Sequence, residues 1–130
     1  MSEPRMTSTQ ILLDVPRAWL LTSNQRLHWR EKARRAANLR ALAGVRCGHG
    51  KAVFLDRVHC TVEVSWPDAR RRDAHNLMPT IKHCVDGYVD SGLLQDDSDR
   101  YLVGPDLRVT DRRCAKGLAC SLTFLFEVAK

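Results

Sequence analysis

The segment 53–66 has the most regular alternation of hydrophobic and polar residues in the chain. In its second half the apolar residues take every other position, namely Val58, Cys60, Val62 and Val64. A period of two with β-branched residues is typical of a half-buried β-strand. The pattern therefore predicts a strand that Pro67 and Asp68 terminate, immediately before an arginine run and Asp73.

Residues 25–46 are predicted to form an α-helix, because they are rich in Ala, Leu, Arg and Lys and contain no proline. The apolar stripe that we expect to face the core consists of Trp29, Ala33, Ala36 and Leu39. The side chains that can cap the start of this helix are those of Thr22, Ser23 and Asn24. The glycines that we expect to end it are Gly44, and then Gly48 and Gly50.

Residues 76–91 form a second helical pattern, which Gly92 is placed to terminate. The apolar stripe consists of Leu77, Ile81, Cys84, Val85, Tyr88 and Val89. Lys82, Asp86 and Asp90 follow one another at four-residue steps, so they share a different face. Leu93 and Leu94 are expected to turn back into the core before Asp96 and Asp97.

Three further segments read as strands: 11–21, which Pro16 interrupts, 101–109, and 118–128. The connection between the last two is short and contains Gly117, which favours a hairpin. The order β-α-β-α-β-β predicts an α+β domain with a single mixed sheet and two helices. We expect one domain over residues 1–130, with residues 1–9 frayed.

Composition fits an ordinary globular protein, with 44% hydrophobic and 28% charged residues. No apolar run approaches the roughly eighteen residues that span a bilayer, and the N-terminus lacks a hydrophobic signal core. We therefore expect a cytoplasmic protein that does not bind membranes. The five cysteines include no Cys-x-x-Cys pair, which favours buried, reduced thiols over disulfides or a zinc site.

Charge is unevenly distributed along the chain, whose net charge is +6. Residues 26–46 hold seven basic residues and the single acid Glu31, whereas residues 73–106 hold seven aspartates against Lys82 and Arg100. A basic surface beside an acidic cluster is the arrangement that cutting nucleic acid requires. The candidate phosphate-binding residues are Arg26, His28, Arg30, Lys32, Arg34 and Arg35, together with Arg70, Arg71 and Arg72. The basic helix face could instead be merely solvated, and His28 could instead pack within the helix.

The aspartates of the acidic cluster suggest metal chemistry, because Mg²⁺ and Mn²⁺ prefer oxygen ligands. One ion can activate water while a second stabilises the leaving 3′ oxygen in phosphodiester hydrolysis. Taken singly, Asp73 could cap a helix, and Asp96 with Asp97 could form a solvated acidic turn. Their combination points to a small metal-dependent nuclease.

Lys82 has two interpretations on the predicted second helix. It could be a surface lysine that pairs with Asp86 four residues later. Alternatively, its ammonium group could stabilise negative charge at a scissile phosphate.

The joint pattern resembles the RusA family of Holliday-junction resolvases. That family carries an arginine-rich run, then Asp-x-Asp-Asn-Leu, a helical Lys with Asp four residues later, a glycine, and Asp-Asp shortly beyond. The matching residues here are Arg70 to Asp73, Asn76, Leu77, Lys82, Asp86, Gly92, Asp96 and Asp97. Ser23, Asn24 and residues 26–29 are similar to the family's entry to its basic helix.

The chain departs from the family pattern at two points. His75 stands where the second aspartate of the motif would be, and three additional residues separate Asn76 from Lys82. A histidine can still bind a metal through a ring nitrogen, and it should favour Mn²⁺ relative to Mg²⁺. The resemblance thus implies Asp73 and Asp97 as metal ligands, with His75 and Asp96 as further ones; Asp96 or Asp86 could fill the place of the missing aspartate. Asp73, Lys82 and Asp97 are the implied catalytic residues.

The resemblance further implies a homodimer that cleaves branched DNA with Mg²⁺ or Mn²⁺ in recombination or repair. A two-fold dimer would present two equivalent sites to a near two-fold junction. Such resolvases are frequent in phages, which would place this protein in the host cytoplasm. Two alternatives stay open: the same chemistry on flaps, forks or RNA, and a catalytically silent junction-binding protein.

Overall fold

The computed structural model describes residues 7–48 and 54–129, in which four strands and two α-helices follow one another. The strands are β1 (Ser8–Pro16), β2 (Val58–Ser65), β3 (Leu102–Val109) and β4 (Leu118–Val128). The helices are α1 (Trp29–Arg46) and α2 (Met78–Asp90), and short 3-10 turns cover Arg17–Trp19 and Ala74–Leu77. The predicted α+β class and the order β-α-β-α-β-β are confirmed.

The four strands form one mixed sheet in the order β1-β4-β2-β3. β4 pairs antiparallel with both β1 and β2, whereas β3 pairs parallel with β2. The predicted hairpin between the last two strands is therefore wrong, because β2 lies between them. The connecting residues cross the end of β2: the Thr110 N–H donates to the Val64 carbonyl, and the Cys114 N–H to the Trp66 carbonyl.

The core forms where the inward face of the sheet meets α2. The predicted alternation of β2 is confirmed, since Val58, Cys60, Val62 and Val64 are fully buried. The Tyr88 ring of α2 meets two rings of β4 edge-on, with centroids 5.0 Å from Phe124 and 5.5 Å from Phe126. Leu93 and Leu94 are buried as expected. This packing fixes α2 on the sheet.

The cysteines are all free, and Cys60, Cys84 and Cys120 are buried as predicted, whereas Cys47 and Cys114 are half-buried. Burial raises the pKa of each of the three buried thiols to about 12. Thiolate chemistry is therefore suppressed at these positions.

Three predicted boundaries differ from the structure. Ser8 and Thr9 belong to β1 rather than to a frayed end, because they pair with Glu127 and Phe126. The first strand ends at Pro16, and a 3-10 turn follows instead of a continued strand. The predicted strand 53–66 starts only at Val58; residue 53, like residues 1–6 and Gly50, lies outside the described residues.

Helix α1 begins later than predicted, and only part of its predicted apolar stripe packs on the core. Its cap is His28, whose Nδ1 accepts the Arg30 N–H at 3.2 Å, while the Thr22 hydroxyl donates to Asn24 in the turn before it. Trp29 and Ala33 are exposed, so half of the predicted apolar stripe is wrong. α1 reaches the core through the buried Leu39 and Ala43 and through the half-buried Ala36, which packs against the core cluster. Neither α-helix in the described part of the chain is long and apolar enough to cross a membrane.

Helices α1 and α2 approach each other closely at Gly87. A Cβ atom added there would lie 2.3 Å from the Arg40 carbonyl oxygen and 2.9 Å from the Ala43 Cβ. Beside this contact the Arg40 guanidinium donates to the Asp90 carboxylate, with Nη2 and Oδ1 2.8 Å apart. The absence of a side chain at Gly87 thus permits the helices to pack at this distance.

We expect Gly87→Ala to lower the free energy of unfolding by about 1–3 kcal/mol, because the methyl group would overpack the helix contact. Gly44→Ala is the matched control, since a Cβ there would lie 3.6 Å from the Gly87 carbonyl oxygen, an ordinary contact. Alanine at position 44 should leave stability unchanged or raise it by up to about 1 kcal/mol through helix propensity. Urea unfolding measures both; equal effects of the two substitutions would contradict this account of the packing.

Candidate active site

The loop from β2 to α2 is organised by Asp68. Its Oδ1 accepts the Arg70 N–H at 2.9 Å and the Arg72 Nη1 at 2.7 Å. Its carbonyl oxygen accepts the Arg113 Nη1 at 2.7 Å. Asp68 therefore binds both the arginine run and the connection between β3 and β4.

The guanidinium of Arg72 has a structural role within this loop. It lies over the Trp66 ring, with Cζ 4.9 Å from the ring centroid, and it is largely covered. The Arg72 side chain and the Arg70 N–H together lower the pKa of Asp68 to about 2. Of the three arginines in this run, all of them predicted to bind DNA, Arg70 and Arg71 are exposed, whereas Arg72 shapes the loop that presents them.

The sequence pattern predicted Asp68 only as the end of a strand, so its role in holding this loop was missed. The residue type was a usable signal, because aspartate often forms an Asx turn, in which its side chain accepts the backbone N–H two residues later. A second signal was the spacing of four positions between the opposite charges of Asp68 and Arg72.

Asp73 lies at the end of this loop and caps the 3-10 turn Ala74–Leu77. Its Oδ1 accepts the His75 N–H at 3.0 Å. The His75 ring nitrogen Nδ1 lies 3.6 Å from the same oxygen, and both side chains are exposed. The capping interpretation of Asp73 is thus confirmed, and two of the predicted metal ligands are neighbours.

Lys82 and Asp97 are brought together although fifteen positions separate them. The Lys82 Nζ lies 3.7 Å from the Asp97 Oδ2 and 3.8 Å from the Asp86 Oδ1. The segment after α2 returns toward the helix because the N–H groups of Leu93 and Leu94 donate to the Tyr88 carbonyl. Lys82 therefore pairs both with the residue four positions later and with the predicted catalytic aspartate.

Asp86 also lies beside His83, whose Nδ1 is 3.7 Å from the Asp86 Oδ2. Burial lowers the pKa of His83, while the nearby Asp86 carboxylate acts in the opposite direction. Asp86 is the more covered partner in both contacts. It holds Lys82 and His83 on one side of α2, and the spacing of three between His83 and Asp86 was the sequence signal for this pair.

The Asp96 carboxylate stabilises the turn formed by the residues that follow it. Hydrogen bonds from the Asp97 N–H and the Ser98 hydroxyl lower the pKa of Asp96. The alternative of a solvated acidic turn therefore describes Asp96, which is exposed. Asp97 differs from its neighbour because its carboxylate meets the Lys82 ammonium group.

Within residues 7–48 and 54–129, no three His, Cys, Asp or Glu side chains are grouped so that they could hold one metal ion. Asp73 with His75, and Asp97 with Asp96, are instead two pairs of potential ligands. Mg²⁺ commonly binds through one or two carboxylates and completes its shell with water and substrate phosphates. The donor chemistry of both exposed pairs fits such an ion.

The predicted DNA-binding residues of α1 and of the segment before it divide into two groups. Arg35 is covered, donates to the Leu20 carbonyl at 2.8 Å, and shares Glu31 with Arg34. These two guanidinium groups lower the pKa of Glu31 to about 2. The exposed group consists of Arg26, His28, Arg30, Lys32 and Arg34. Arg35 thus anchors α1 to the segment before it, and the others face solvent.

A cleft of about 520 Å³ adjoins Asp73. Its polar lining includes Arg17, Asn24, Arg70, Asp73 and Asn76, and its apolar lining includes Leu20, Trp66, Leu77 and Leu118. Asn24 and Asn76 lie on different segments that the Ser23 N–H joins by donating to the Asn76 carbonyl. Asn24 of the helix entry therefore borders the same cleft as Asp73 and Asn76 of the acidic motif. Lys82 and Asp97 are not among the residues that line it.

Comparison with models of protein families finds no match to the chain, and a search of curated proteins finds none either.

Removing the Asp68 side chain should loosen the arginine loop. We expect Asp68→Ala to raise the rate of tryptic cleavage after Arg70 and Arg71 several-fold, since Arg70 and Arg72 lose their shared partner. Asp68→Asn retains an oxygen for the Arg70 N–H and should give a smaller increase. Asp111→Ala removes an exposed acid from the connection between β3 and β4 and serves as the control. Cleavage rates that are equal in all four proteins would contradict the role of Asp68.

The pH dependence of this loop follows from the lowered pKa of Asp68, which is about 2 against an ordinary value of 3.8. Because the folded pKa is the lower one, the contribution of Asp68 to stability is complete above about pH 4 and is lost as pH falls toward 2. We therefore expect the difference in urea midpoint between wild type and Asp68→Asn to shrink across this window. A difference that stays constant from pH 6 to pH 2 would rule out the ionised carboxylate as its source.

Proposed function

We propose that the protein is a divalent-metal-dependent endonuclease that hydrolyses phosphodiester bonds in branched DNA, with the Holliday junction as its leading substrate. The observation that carries this proposal is the contact between Lys82 and Asp97. A cation and a carboxylate that the sequence places fifteen positions apart meet on one side of α2. The second support is the resemblance of the acidic motif to that of the RusA family.

In this proposal Lys82 stabilises the scissile phosphate. An ammonium group held beside the position where negative charge develops lowers the barrier to hydrolysis. Asp86 and Asp97 flank the ammonium group and restrict where it can lie. Asp86 is thus a positioning residue, because it acts through Lys82.

The residues that would hold Mg²⁺ or Mn²⁺ are Asp73 and Asp97, with His75 and Asp96 as potential co-ligands. The chemistry that such an ion supplies when bound is Lewis-acid stabilisation of charge on the phosphate and on the leaving oxygen. A ring nitrogen at position 75 in place of a carboxylate favours Mn²⁺ relative to Mg²⁺.

The substrate in this proposal is bound chiefly through its phosphate backbone. Arg70 and Arg71 lie next to Asp73 on a loop that Asp68 holds, and the exposed basic residues of α1 extend the positive surface. Phosphate contacts position a duplex but carry no sequence information. A homodimer would present two such surfaces to the arms of a junction. We place this activity in the cytoplasm, where phage and bacterial DNA lie.

A second candidate is a junction-binding protein without catalytic activity. One observation favours it: His75 stands where the motif has its second aspartate. This candidate predicts tight binding of junctions that is insensitive to metal ions.

A cleavage assay on a synthetic four-way junction with Mg²⁺ or Mn²⁺ tests the proposal. We expect wild type to nick the junction, Asp97→Asn to abolish nicking, and Lys82→Ala to slow it by about 10²-fold or more, as for the loss of one charge-stabilising group. Asp99→Asn removes a neighbouring exposed acid and should cleave at the wild-type rate. Full activity of Asp97→Asn would refute the assigned site.

The same assay separates the substrates and the second candidate. Junction, flap, fork and RNA substrates at equal enzyme concentration distinguish a resolvase from a nuclease of broader specificity. Binding of the junction without product in either metal would replace the nuclease proposal with the binding protein.

A further inference from the structure

Trp29 is the most conspicuous apolar side chain on the basic surface of α1. It is the first residue of the helix, and 67% of its surface is exposed. Exposed hydrophobic residues are common singly and need no explanation by themselves. Trp29 differs from Val45, which is 77% exposed at the other end of the same helix, because both of its sequence neighbours contact its ring.

The Trp29 ring contacts the imidazole of His28 and the guanidinium of Arg30. The His28 ring stacks on it with centroids 5.7 Å apart and planes inclined by 29°. The Arg30 Cζ lies 5.3 Å from the ring centroid. The Arg30 N–H donates to the His28 Nδ1, so the same three residues also form the helix cap. The indole is thus held in place while most of its surface faces solvent.

The charges around Trp29 favour an anionic partner. Arg26, Arg30 and Lys32 are exposed within three residues of it, and the only acid nearby in sequence, Glu31, is paired with Arg34 and Arg35. A second copy of the chain docking the same surface would bring two positive clusters together, which opposes self-association there. A polyanion that carries flat apolar groups satisfies both features, and single-stranded nucleic acid is such a polymer.

We infer that Trp29 is a stacking platform for an unpaired base, with Arg26, Arg30 and Lys32 binding the adjoining phosphates. This inference rests on the proposed function, since it takes nucleic acid as the substrate. It adds that the protein selects DNA with unstacked nucleotides, such as those at a branch point. Every base has an aromatic face, so the platform tolerates any sequence.

Binding in EDTA tests the platform without cleavage. One probe is a fluorescein-labelled single strand of twelve thymidine nucleotides. The other is a labelled strand of equal length made of abasic nucleotides, which keeps the phosphates and lacks the bases. We expect wild type to prefer the thymidine strand by about tenfold or more, the effect of a single stacked base. Trp29→Ala should remove this preference without changing the abasic affinity, and Trp29→Phe should retain most of it.

Val45→Ala is the matched control, because it truncates an equally exposed apolar residue on the same helix. It should bind both strands as wild type does, and circular dichroism establishes that every variant is folded. Equal affinity of wild type for the two strands would overturn the inference. So would a Trp29→Ala variant that binds the thymidine strand as wild type does, or one that weakens both strands equally.

The outcomes for the platform and for the nuclease proposal are separable. Junction cleavage by wild type, together with unchanged strand binding by Trp29→Ala, refutes the platform and leaves the nuclease proposal standing. Loss of the base-dependent preference in Trp29→Ala, with no cleavage by wild type in Mg²⁺ or Mn²⁺, supports the platform and refutes the nuclease.

Discussion

The close contact between α1 and α2 at Gly87 is the constraint on which the candidate site depends. Because this position lacks a side chain, the Arg40 carbonyl can lie against α2, and the Arg40 guanidinium can reach Asp90. α2 packs its apolar stripe against the sheet through Tyr88 and carries Lys82 on another face. The position of Lys82 relative to the Asp97 segment is therefore set by packing in the core, while the chemistry that we assign to it takes place at the surface.

The arginines of this basic protein serve two different purposes. Arg72 and Arg35 are covered, bind carbonyl or carboxylate oxygens, and hold the segments before the two helices in place. Arg70 and Arg71 are exposed on the loop before α2, and Arg30 is exposed in the first turn of α1. This division resolves the apparent excess of positive charge: some guanidinium groups build the surface, and the remaining ones are available to phosphate. Asp68 and Glu31 are the acids around which the structural group is arranged, and both have a pKa of about 2 for this reason.

Patterns that depend on local geometry were predictable from the sequence. The alternation of β2 follows from period two, and the core stripe of α2 follows from its apolar spacing. The bounds of β4 are those predicted for the segment 118–128. The strand order was not predictable in this way, because an eight-residue connection permits either a hairpin or a crossing over β2. The face of α1 was misjudged at Trp29, since an Ala- and Arg-rich helix has no strong apolar stripe and the first turns extend past the core. In the site, the pairings of Lys82 with Asp86 and of Asp68 with Arg72 follow from a spacing of four. The contact between Lys82 and Asp97 does not, because it depends on how the chain returns after α2.

The central claim is that a scissile phosphate binds beside Lys82 and that Asp73 or Asp97 holds the metal ion. Anomalous diffraction from crystals grown with Mn²⁺ and a non-cleavable four-way junction tests it most directly. The account predicts Mn²⁺ bound to at least one of these two carboxylates and a junction phosphate within hydrogen-bond distance of the Lys82 ammonium group. A junction phosphate bound elsewhere on the protein, with neither aspartate in contact with Mn²⁺, would contradict it.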